Sequence, residues 1–282
     1  MTVCVAACVH DGLVFAADSA TSLLGANRTT GEVVIERVYQ YGNKVFNLDK
    51  RLPVVGMTSG LGAIGNAPIH SLAKDLRREF KTDGSKYQLN PDKYSVAEVA
   101  EKAHDFLFTD KYSAASKIEG DHSLDFWIGG YSSDSDTHEL FKVGIVNGAA
   151  TVECLCRDGQ SDLFWGGQPS AINRLVMGYD NTLVESLRKV GVSDADLPGL
   201  MDFISSETVA PLMHPGMPVQ DAIELCSFLV ETTKGFVRFL PGADTVGGEV
   251  DIAVVTRHER FKWIKRKHYY PQNLNKLETD HV

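Results

Sequence analysis

The chain opens with short apolar runs separated by turn residues rather than with long helical periods. Residues 2–9 form one apolar run and residues 13–17 another, and His10-Asp11-Gly12 between them is typical of a turn. The two runs therefore predict a β-hairpin that places the first residues of the chain in a core strand. Because most chain termini are loosely ordered, this placement indicates a role for the terminus itself.

The rest of the chain alternates blocks of predicted strands with blocks of predicted helices. Further strands are predicted at residues 32–38, 44–48, 52–58, 125–131, 139–146, 151–157, 163–166, 249–256 and 261–264. Helices are predicted at residues 64–80, 95–108, 169–190, 197–212 and 218–239. Ser95 and Glu98 have the form of a capping box at the start of the second helix. The polar stretches 19–30 and 81–94 predict connections.

This order of elements is not the regular βαβ alternation of a parallel α/β protein. It predicts an α+β fold in which two mainly antiparallel sheets stack face to face and helices cover their outer faces, a four-layer αββα sandwich. The sequence shows no internal repeat, low-complexity tract or linker. Residues 1–282 are therefore expected to form one domain, with a basic and aromatic C-terminal tail at 257–282.

Composition is that of an ordinary globular protein. Hydrophobic residues make up 43% and charged residues 23% of the 282 residues, which is not the composition of a disordered chain. The net charge of -9 argues against nucleic-acid binding, because phosphate recognition relies on clustered Lys and Arg. The basic and aromatic tail is for the same reason interpreted as a solvated edge strand or a subunit contact.

The cysteines and histidines show no metal-ligand spacing, so no metal is expected. The cysteines are odd in number and lie mostly in apolar runs, at Cys4, Cys8, Cys154, Cys156 and Cys226. Buried free thiols in a reducing compartment account for them. The sequence offers neither a signal-peptide pattern nor an apolar run long enough to span a bilayer. These features predict a cytoplasmic protein without membrane partners.

Thr2 follows the initiator Met1 directly, and its small side chain permits removal of that methionine. A threonine at the chain terminus carries a nucleophile and a base together, since its hydroxyl can attack a carbonyl while its α-amine takes up the proton. An α-amine titrates at about 7.7–8.0, close to working pH. Many proteins begin with Met-Thr, so this feature acquires meaning only from the rest of the sequence.

Four segments carry a further signal. The first is TVCVA at 2–6, followed after the turn by LVFAADS at 13–19, and the others are GNKVFNL at 42–48, GMTSG at 56–60 and DTVGGEVDIAV at 244–254. In this order they resemble the proteasome β-subunit family of N-terminal nucleophile hydrolases, including its bacterial HslV and Anbu types. The second segment is similar to the family's catalytic-lysine segment, the third to its oxyanion loop, and the fourth to its late active-site loop and the strand after it.

The resemblance implies a threonine-type endopeptidase, or another amide hydrolase, that needs no metal or organic cofactor. Thr2 would be the nucleophile, and Lys44 would ease proton loss from its hydroxyl and amine. Asp18 would pair with Lys44 and orient it. The backbone N–H of Gly60 would face the developing oxyanion. Asp244 would order the terminal amine from the far side.

The same resemblance implies partners. Peptides or unfolded proteins are the expected substrates, and homo-oligomeric rings or ring-like assemblies are expected to shelter the sites. An ATPase partner is left open, because no segment of the sequence encodes one. No nucleic-acid partner is expected.

Each of the implied site residues also has an ordinary structural alternative. Asp18 could be a turn or cap residue, Lys44 a solvated residue at a strand start, and Gly60 the small residue of a tight turn. Their joint placement around Thr2 favours the catalytic interpretation.

The sequence departs from the family pattern at several positions. An insertion of about ten residues lies around 25–36, and Ala20 stands where the family often has Arg. Two usual serines are replaced, one by Gly247 and the other within Gly166-Gly167-Gln168. Two alternatives therefore stay open: a small-molecule amidase or acylase on the same fold, and a catalytically weak or inactive structural protein.

Overall fold

The computed structural model describes residues 2–26, 33–115, 118 and 120–267. Their strands are, in chain order, β1 (Val3–Val9), β2 (Gly12–Ala17), β3 (Thr21–Ala26), β4 (Val33–Tyr39), β5 (Val45–Asp49), β6 (Val54–Gly60), β7 (Ala63–Ile64), β8 (Ala67–Pro68), β9 (Ser123–Tyr131), β10 (His138–Val146), β11 (Ala149–Cys156), β12 (Asp162–Gly167), β13 (Asp251–Thr256) and β14 (Arg260–Lys265). The α-helices are α1 (Ile69–Glu79), α2 (Val96–His104), α3 (Ser170–Val176), α4 (Thr182–Lys189), α5 (Leu197–Thr208) and α6 (Val219–Arg238). A π-helical segment, Asp105–Tyr112, continues α2.

Ten of these strands form two five-stranded sheets. The first sheet has the strand order β12-β1-β2-β13-β14, and the second has the order β11-β10-β9-β6-β5. All neighbouring strands in both sheets are antiparallel. The remaining strands pair two by two, β3 with β4 and β7 with β8.

Strand β1 shows why the sheets stack face to face. Successive side chains of a strand point to opposite faces of its sheet. Val3 and Val5 pack in the cluster that includes helix residues, whereas Cys4 and Ala6 pack in the cluster formed with the second sheet. Because both faces of β1 are buried, its sequence is apolar throughout instead of alternating with polar residues.

Helices cover the outer face of each sheet and complete four layers. Leu72 and Leu76 of α1 and Val99 of α2 pack with Phe126 and Ile128 of the second sheet. On the other side, α3 and α6 pack against the first sheet with apolar residues that include Ile172, Ala222, Cys226, Leu229 and Val230. The fold is thus the predicted α+β sandwich, αββα, of two antiparallel sheets.

The local predictions differ from the structure at three elements. The helix predicted at 64–80 begins only at Ile69, because β7 and β8 pair with each other just before it. Residues 19–30 were expected to form a connection, but β3 lies there and pairs with β4. The single helix predicted at 169–190 is divided into α3 and α4, because Gly178 between them has a φ of 82° and ends α3. The N-cap half of the predicted capping box is confirmed, since the Glu98 N–H donates to Ser95 Oγ at 3.0 Å, whereas the Glu98 carboxylate pairs with Lys102.

Several predictions concern residues outside the described ranges. These residues are Met1, residues 27–32 of the insertion and residues 268–282 of the tail. Within the described ranges, no helix combines the length and the hydropathy that crossing a bilayer requires.

Candidate functional site

Asp18 follows directly after β2 and is the centre of a buried polar cluster. One carboxylate oxygen, Oδ1, accepts from the Val3 N–H at 3.0 Å and from Lys44 Nζ at 2.6 Å. The other, Oδ2, accepts from the N–H groups of Ala20 at 3.0 Å and Gly247 at 2.9 Å. Four donors therefore bind a side chain that solvent does not reach.

Lys44 supplies the positive charge of this cluster. It lies directly before β5, where its carbonyl oxygen accepts from the Thr58 N–H at 2.9 Å. Only 6% of its side chain is exposed. Burial lowers the pKa of Lys44 below its ordinary value, and the neighbouring Asp18 carboxylate offsets part of this shift. Lys44 is thus a buried, ion-paired lysine and not the solvated residue of the ordinary alternative.

Thr2 is held beside this ion pair by its backbone. The Thr2 carbonyl oxygen accepts from the Gln168 N–H at 2.7 Å, and Thr2 is buried. The next amide, that of Val3, donates to the same oxygen of Asp18 that binds Lys44. The structure therefore brings together three of the predicted site residues, Thr2, Asp18 and Lys44.

Gly60 borders the same corner of the sandwich. It ends β6 with a φ of 89°, and a Cβ atom at this position would lie 2.1 Å from the Ser123 carbonyl oxygen. Its neighbour Ser59 faces Gly167, since a Cβ atom on Gly167 would lie 3.6 Å from Ser59 Cβ. Asp244 differs from the other predicted residues because it is exposed, on the segment before Gly247.

The glycines at the positions of the usual serines differ in the room they leave for a side chain. A Cβ atom on Gly167 would lie 1.9 Å from the Thr2 carbonyl oxygen, which is backbone, whereas one on Gly247 would meet only the end of the Gln40 side chain, at 2.8 Å. Gly247 instead contributes its backbone, because its N–H binds Asp18 and its carbonyl oxygen accepts from the Ser19 N–H at 2.8 Å. The late loop thus supports the carboxylate through its main chain.

Other hydroxyl groups lie near these glycines. Ser59 Oγ is 3.4 Å from an oxygen of Asp125, and a Cβ atom on Gly166 would lie within 4 Å of both groups. Burial raises the pKa of the Asp125 carboxyl, and Lys142 and the Ser59 hydroxyl lower it less strongly. The buried Thr245 hydroxyl makes no hydrogen bond with the described residues. Ser59 and Asp125 are thus polar side chains beside Gly166, and Thr245 lies two residues before Gly247.

A second buried ion pair lies next to the first, and no sequence motif marks it. Lys267 is 6% exposed, forms an ion pair with Asp251, and donates to Ser19 Oγ at 2.7 Å. Ser19 in turn donates to the Glu249 carbonyl oxygen at 2.5 Å. The prediction that the basic tail is solvated was wrong for Lys267, which is drawn into the interior by a buried carboxylate.

The fold and the cluster together define the class of the architecture, which is proteasome-like. The first strand after Thr2 lies inside an αββα sandwich, and an Asp–Lys pair binds the backbone beside Thr2. The comparisons with known proteins agree at the level of the fold. No protein-family model matches the sequence, and no curated protein matches it either.

Solved structures of Anbu proteins share the fold. A chain from the helical assembly of the Anbu complex of Pseudomonas aeruginosa is 17% identical, with a TM-score of 0.54 over 95% of this chain and 88% of that chain. An Anbu (Gly-1) mutant from Hyphomicrobium sp. strain MC1 is also 17% identical, with a TM-score of 0.53 over 97% of this chain and 92% of that chain. The chain therefore has the proteasome-like fold of these Anbu chains.

Proposed function

We propose that the protein is an N-terminal threonine hydrolase that cleaves amide bonds, with peptide bonds as the main substrate class. The observation that carries the proposal is the buried pair of Lys44 and Asp18, bound through one carboxylate oxygen to the amide beside Thr2. A buried ion pair is expensive to desolvate and adds little stability by itself. Its position at the chain's first strand, on a fold shared with Anbu chains, favours a catalytic role.

The reaction would run in two halves. Removal of Met1 frees the α-amine of Thr2, which accepts the hydroxyl proton as Oγ attacks the substrate carbonyl carbon. The Lys44 ammonium favours loss of protons from both groups of Thr2, because a nearby positive charge lowers their pKa. Collapse of the tetrahedral intermediate breaks the C–N bond, and the leaving amine takes the proton from the α-ammonium. Water then hydrolyses the ester, assisted by the same amine.

The oxyanion of both intermediates would be stabilised by the N–H of Gly60. Removal of one such donor typically costs about 2.7–4 kcal/mol of transition-state stabilisation. Asp244 has no step in this mechanism, because its side chain is exposed. Ser59 and Thr245 stand in for the missing serines as hydroxyl groups that can relay the amine proton.

We also propose that copies of the chain assemble with one another. The neighbour from P. aeruginosa belongs to a helical assembly. Large apolar side chains are exposed on and beside the helices after the second sheet, at Val190, Phe203, Phe228 and Phe239. Burial of such residues between copies would stabilise an assembly that shelters the site from folded proteins. Light scattering coupled to size exclusion should show a homo-oligomer, and a monomer at micromolar concentration would contradict this part.

The decisive experiment is intact-mass spectrometry with and without a peptide epoxyketone. This reagent closes a ring with a terminal hydroxyl and its adjacent amine. Loss of Met1 and one adduct per chain are expected. The adduct should be absent in Thr2→Ala and strongly reduced in Lys44→Met, while the variant Lys74→Ala, at an exposed position of α1, reacts like the wild type. Circular dichroism of each variant establishes that the tested protein is folded.

The other outcomes separate the alternatives. A folded protein that lacks Met1 but forms no adduct would favour the small-molecule amidase, and a panel of acyl amides would then replace the peptide probe. Retention of Met1 in protein from the native host would refute the mechanism, because a blocked amine cannot serve as the base. The structural, non-catalytic alternative would then be favoured.

A further inference from the structure

Three potential metal ligands meet between the two sheets, far from the proposed active site. Cys8 of β1, His138 of β10 and Cys156 of β11 each offer a ligand atom, and these atoms all lie within 4.8 Å of one another. All three residues are buried. Cys8 is six residues after Thr2 along an extended strand, so the cluster lies about 20 Å from Thr2. It is therefore a separate site.

One ring nitrogen of His138 can bind a metal ion, because the hydrogen bond of the imidazole uses the other. Its Nε2 lies 3.1 Å from the Gln160 carbonyl oxygen. Since a carbonyl can only accept, Nε2 carries the proton and Nδ1 keeps a free lone pair. This Nδ1 is buried and makes no hydrogen bond with the described residues. A buried acceptor without a partner typically costs about 1–3 kcal/mol.

Metal-bound histidines show the same arrangement. A ligating imidazole almost always donates its second N–H to a carboxylate or backbone carbonyl, which fixes the tautomer and the ring orientation. In this chain the Gln160 carbonyl is that acceptor, and it also accepts from the Cys156 thiol at 3.1 Å, a bond that loss of the thiol proton to a metal would break. Nδ1 is the ring nitrogen left for the cation.

The ligand set selects the kind of cation. Two cysteine sulfurs and one imidazole nitrogen suit Zn²⁺, whereas Ca²⁺ and Mg²⁺ prefer oxygen ligands. Two thiolates also cancel the charge of Zn²⁺, so that the complex is neutral in a buried position. Zn–S bonds of about 2.3 Å place tetrahedral sulfurs about 3.8 Å apart, and a Zn–N bond of about 2.0 Å places the nitrogen about 3.5 Å from each sulfur. The ligand atoms therefore need to approach by about 1.3 Å at most.

We propose that Cys8, His138 and Cys156 bind one Zn²⁺ ion that links the first sheet to the second. The ion would cross-link β1, the strand that begins at the proposed nucleophile, to two strands of the opposite sheet. The sequence contains no linear zinc motif because the ligands come from three strands that are distant along the chain. Their register is set by the sheets, since β10 and β11 pair antiparallel and place Cys156 beside Leu140.

Metal titration of the full-length protein tests the proposal. Protein purified under reducing conditions is stripped with a chelator and titrated with Co²⁺, then with Zn²⁺. The expected result is one Co²⁺ per chain with thiolate-to-metal charge-transfer absorption, displaced by Zn²⁺ and accompanied by proton release from both thiols. Thermal unfolding should shift upward with Zn²⁺. No thiolate absorption in a folded, fully reduced wild-type chain would overturn the proposal.

Variants locate the site. Cys8→Ser, Cys156→Ser and His138→Gln should each lower Co²⁺ affinity by at least about 100-fold, the upper end of what loss of an outer-shell partner costs. Cys154→Ser, two residues along the same strand, is the matched control and should bind normally. Binding that survives in both Cys8→Ser and Cys156→Ser would overturn the assignment. So would a disulfide between Cys8 and Cys156 in metal-free protein that resists reduction while the chain stays folded.

Discussion

The buried pair of Asp18 and Lys44 allows a prediction whose size follows from its hydrogen bonds. Each carboxylate oxygen of Asp18 accepts from two donors. In Asp18→Asn one oxygen becomes an NH₂ group, so two donors lose their acceptor whichever way the amide turns. An unsatisfied buried donor costs about 1–3 kcal/mol, and the substitution should therefore lower the free energy of unfolding by about 2–6 kcal/mol.

Lys44→Met removes the positive charge but leaves Asp18 bonded to three backbone N–H groups. Breaking a buried ion pair from one side typically costs about 3–5 kcal/mol, and the remaining donors should hold the loss at the lower end of that range. The double variant, Asp18→Asn with Lys44→Met, leaves no unpaired charge. Its loss should be smaller than the sum of the two single losses by about 1–3 kcal/mol.

The wild type, the two single variants and the double variant form a double-mutant cycle. Urea denaturation followed by circular dichroism measures the free energy of unfolding of all four proteins. The helical pair of Glu231 and Lys234, whose charged atoms lie 2.7 Å apart at the surface, is the matched control. Its cycle should give a coupling of only about 0.2–0.5 kcal/mol. If the two losses at Asp18 and Lys44 simply add, within about 0.5 kcal/mol, the pair is not a coupled buried unit and the reasoning is refuted.

Three further changes should have measurable effects. Gly167→Ala should destabilise the protein by more than Gly84→Ala does. Both glycines have a positive φ, but only at Gly167 would a Cβ atom meet backbone atoms. Equal losses in the free energy of unfolding, measured by urea denaturation, would contradict this. Lys267→Met should lower the free energy of unfolding by about 3–5 kcal/mol, since it leaves the buried Asp251 carboxylate without its cation, and adding Asp251→Asn should restore part of it. Burial lowers the pKa of Lys44 below 10.5, so the native state releases this proton before the unfolded chain does. Its contribution to stability should therefore rise with pH from its lowered pKa up to 10.5, and the difference between wild type and Lys44→Met should show that rise.

The fold could be predicted because its sheets carry strong local signals. Residues 2–17 are apolar with one turn, and β1 and β2 are buried on both faces, so the run predicts the strands that the structure has. Strand β3 was missed because it lies in a polar stretch and pairs only with β4, outside the two main sheets. The break between α3 and α4 depends on one glycine conformation, which apolar periodicity does not report.

The site could be predicted only in part, for a similar reason. The order of the motifs was enough to bring Thr2, Asp18 and Lys44 together. The contact of Lys267 with Ser19 carries no motif, because 248 residues of chain separate the two side chains. The spacing of residues along the sequence does not predict the cluster of Cys8, His138 and Cys156 either, since sheet register alone brings its members together.

The wide sequence separation within the polar cluster also fixes when the site can form. Asp18 leaves a ribosome early, but its bond to the Gly247 N–H waits for 229 further residues. At about 5–20 residues per second, that interval is roughly ten to fifty seconds. Throughout it, β2 lacks β13 as a neighbour, and its carboxylate lacks one of its donors. A chain still being synthesised therefore holds an incomplete site until Gly247 has left the ribosome.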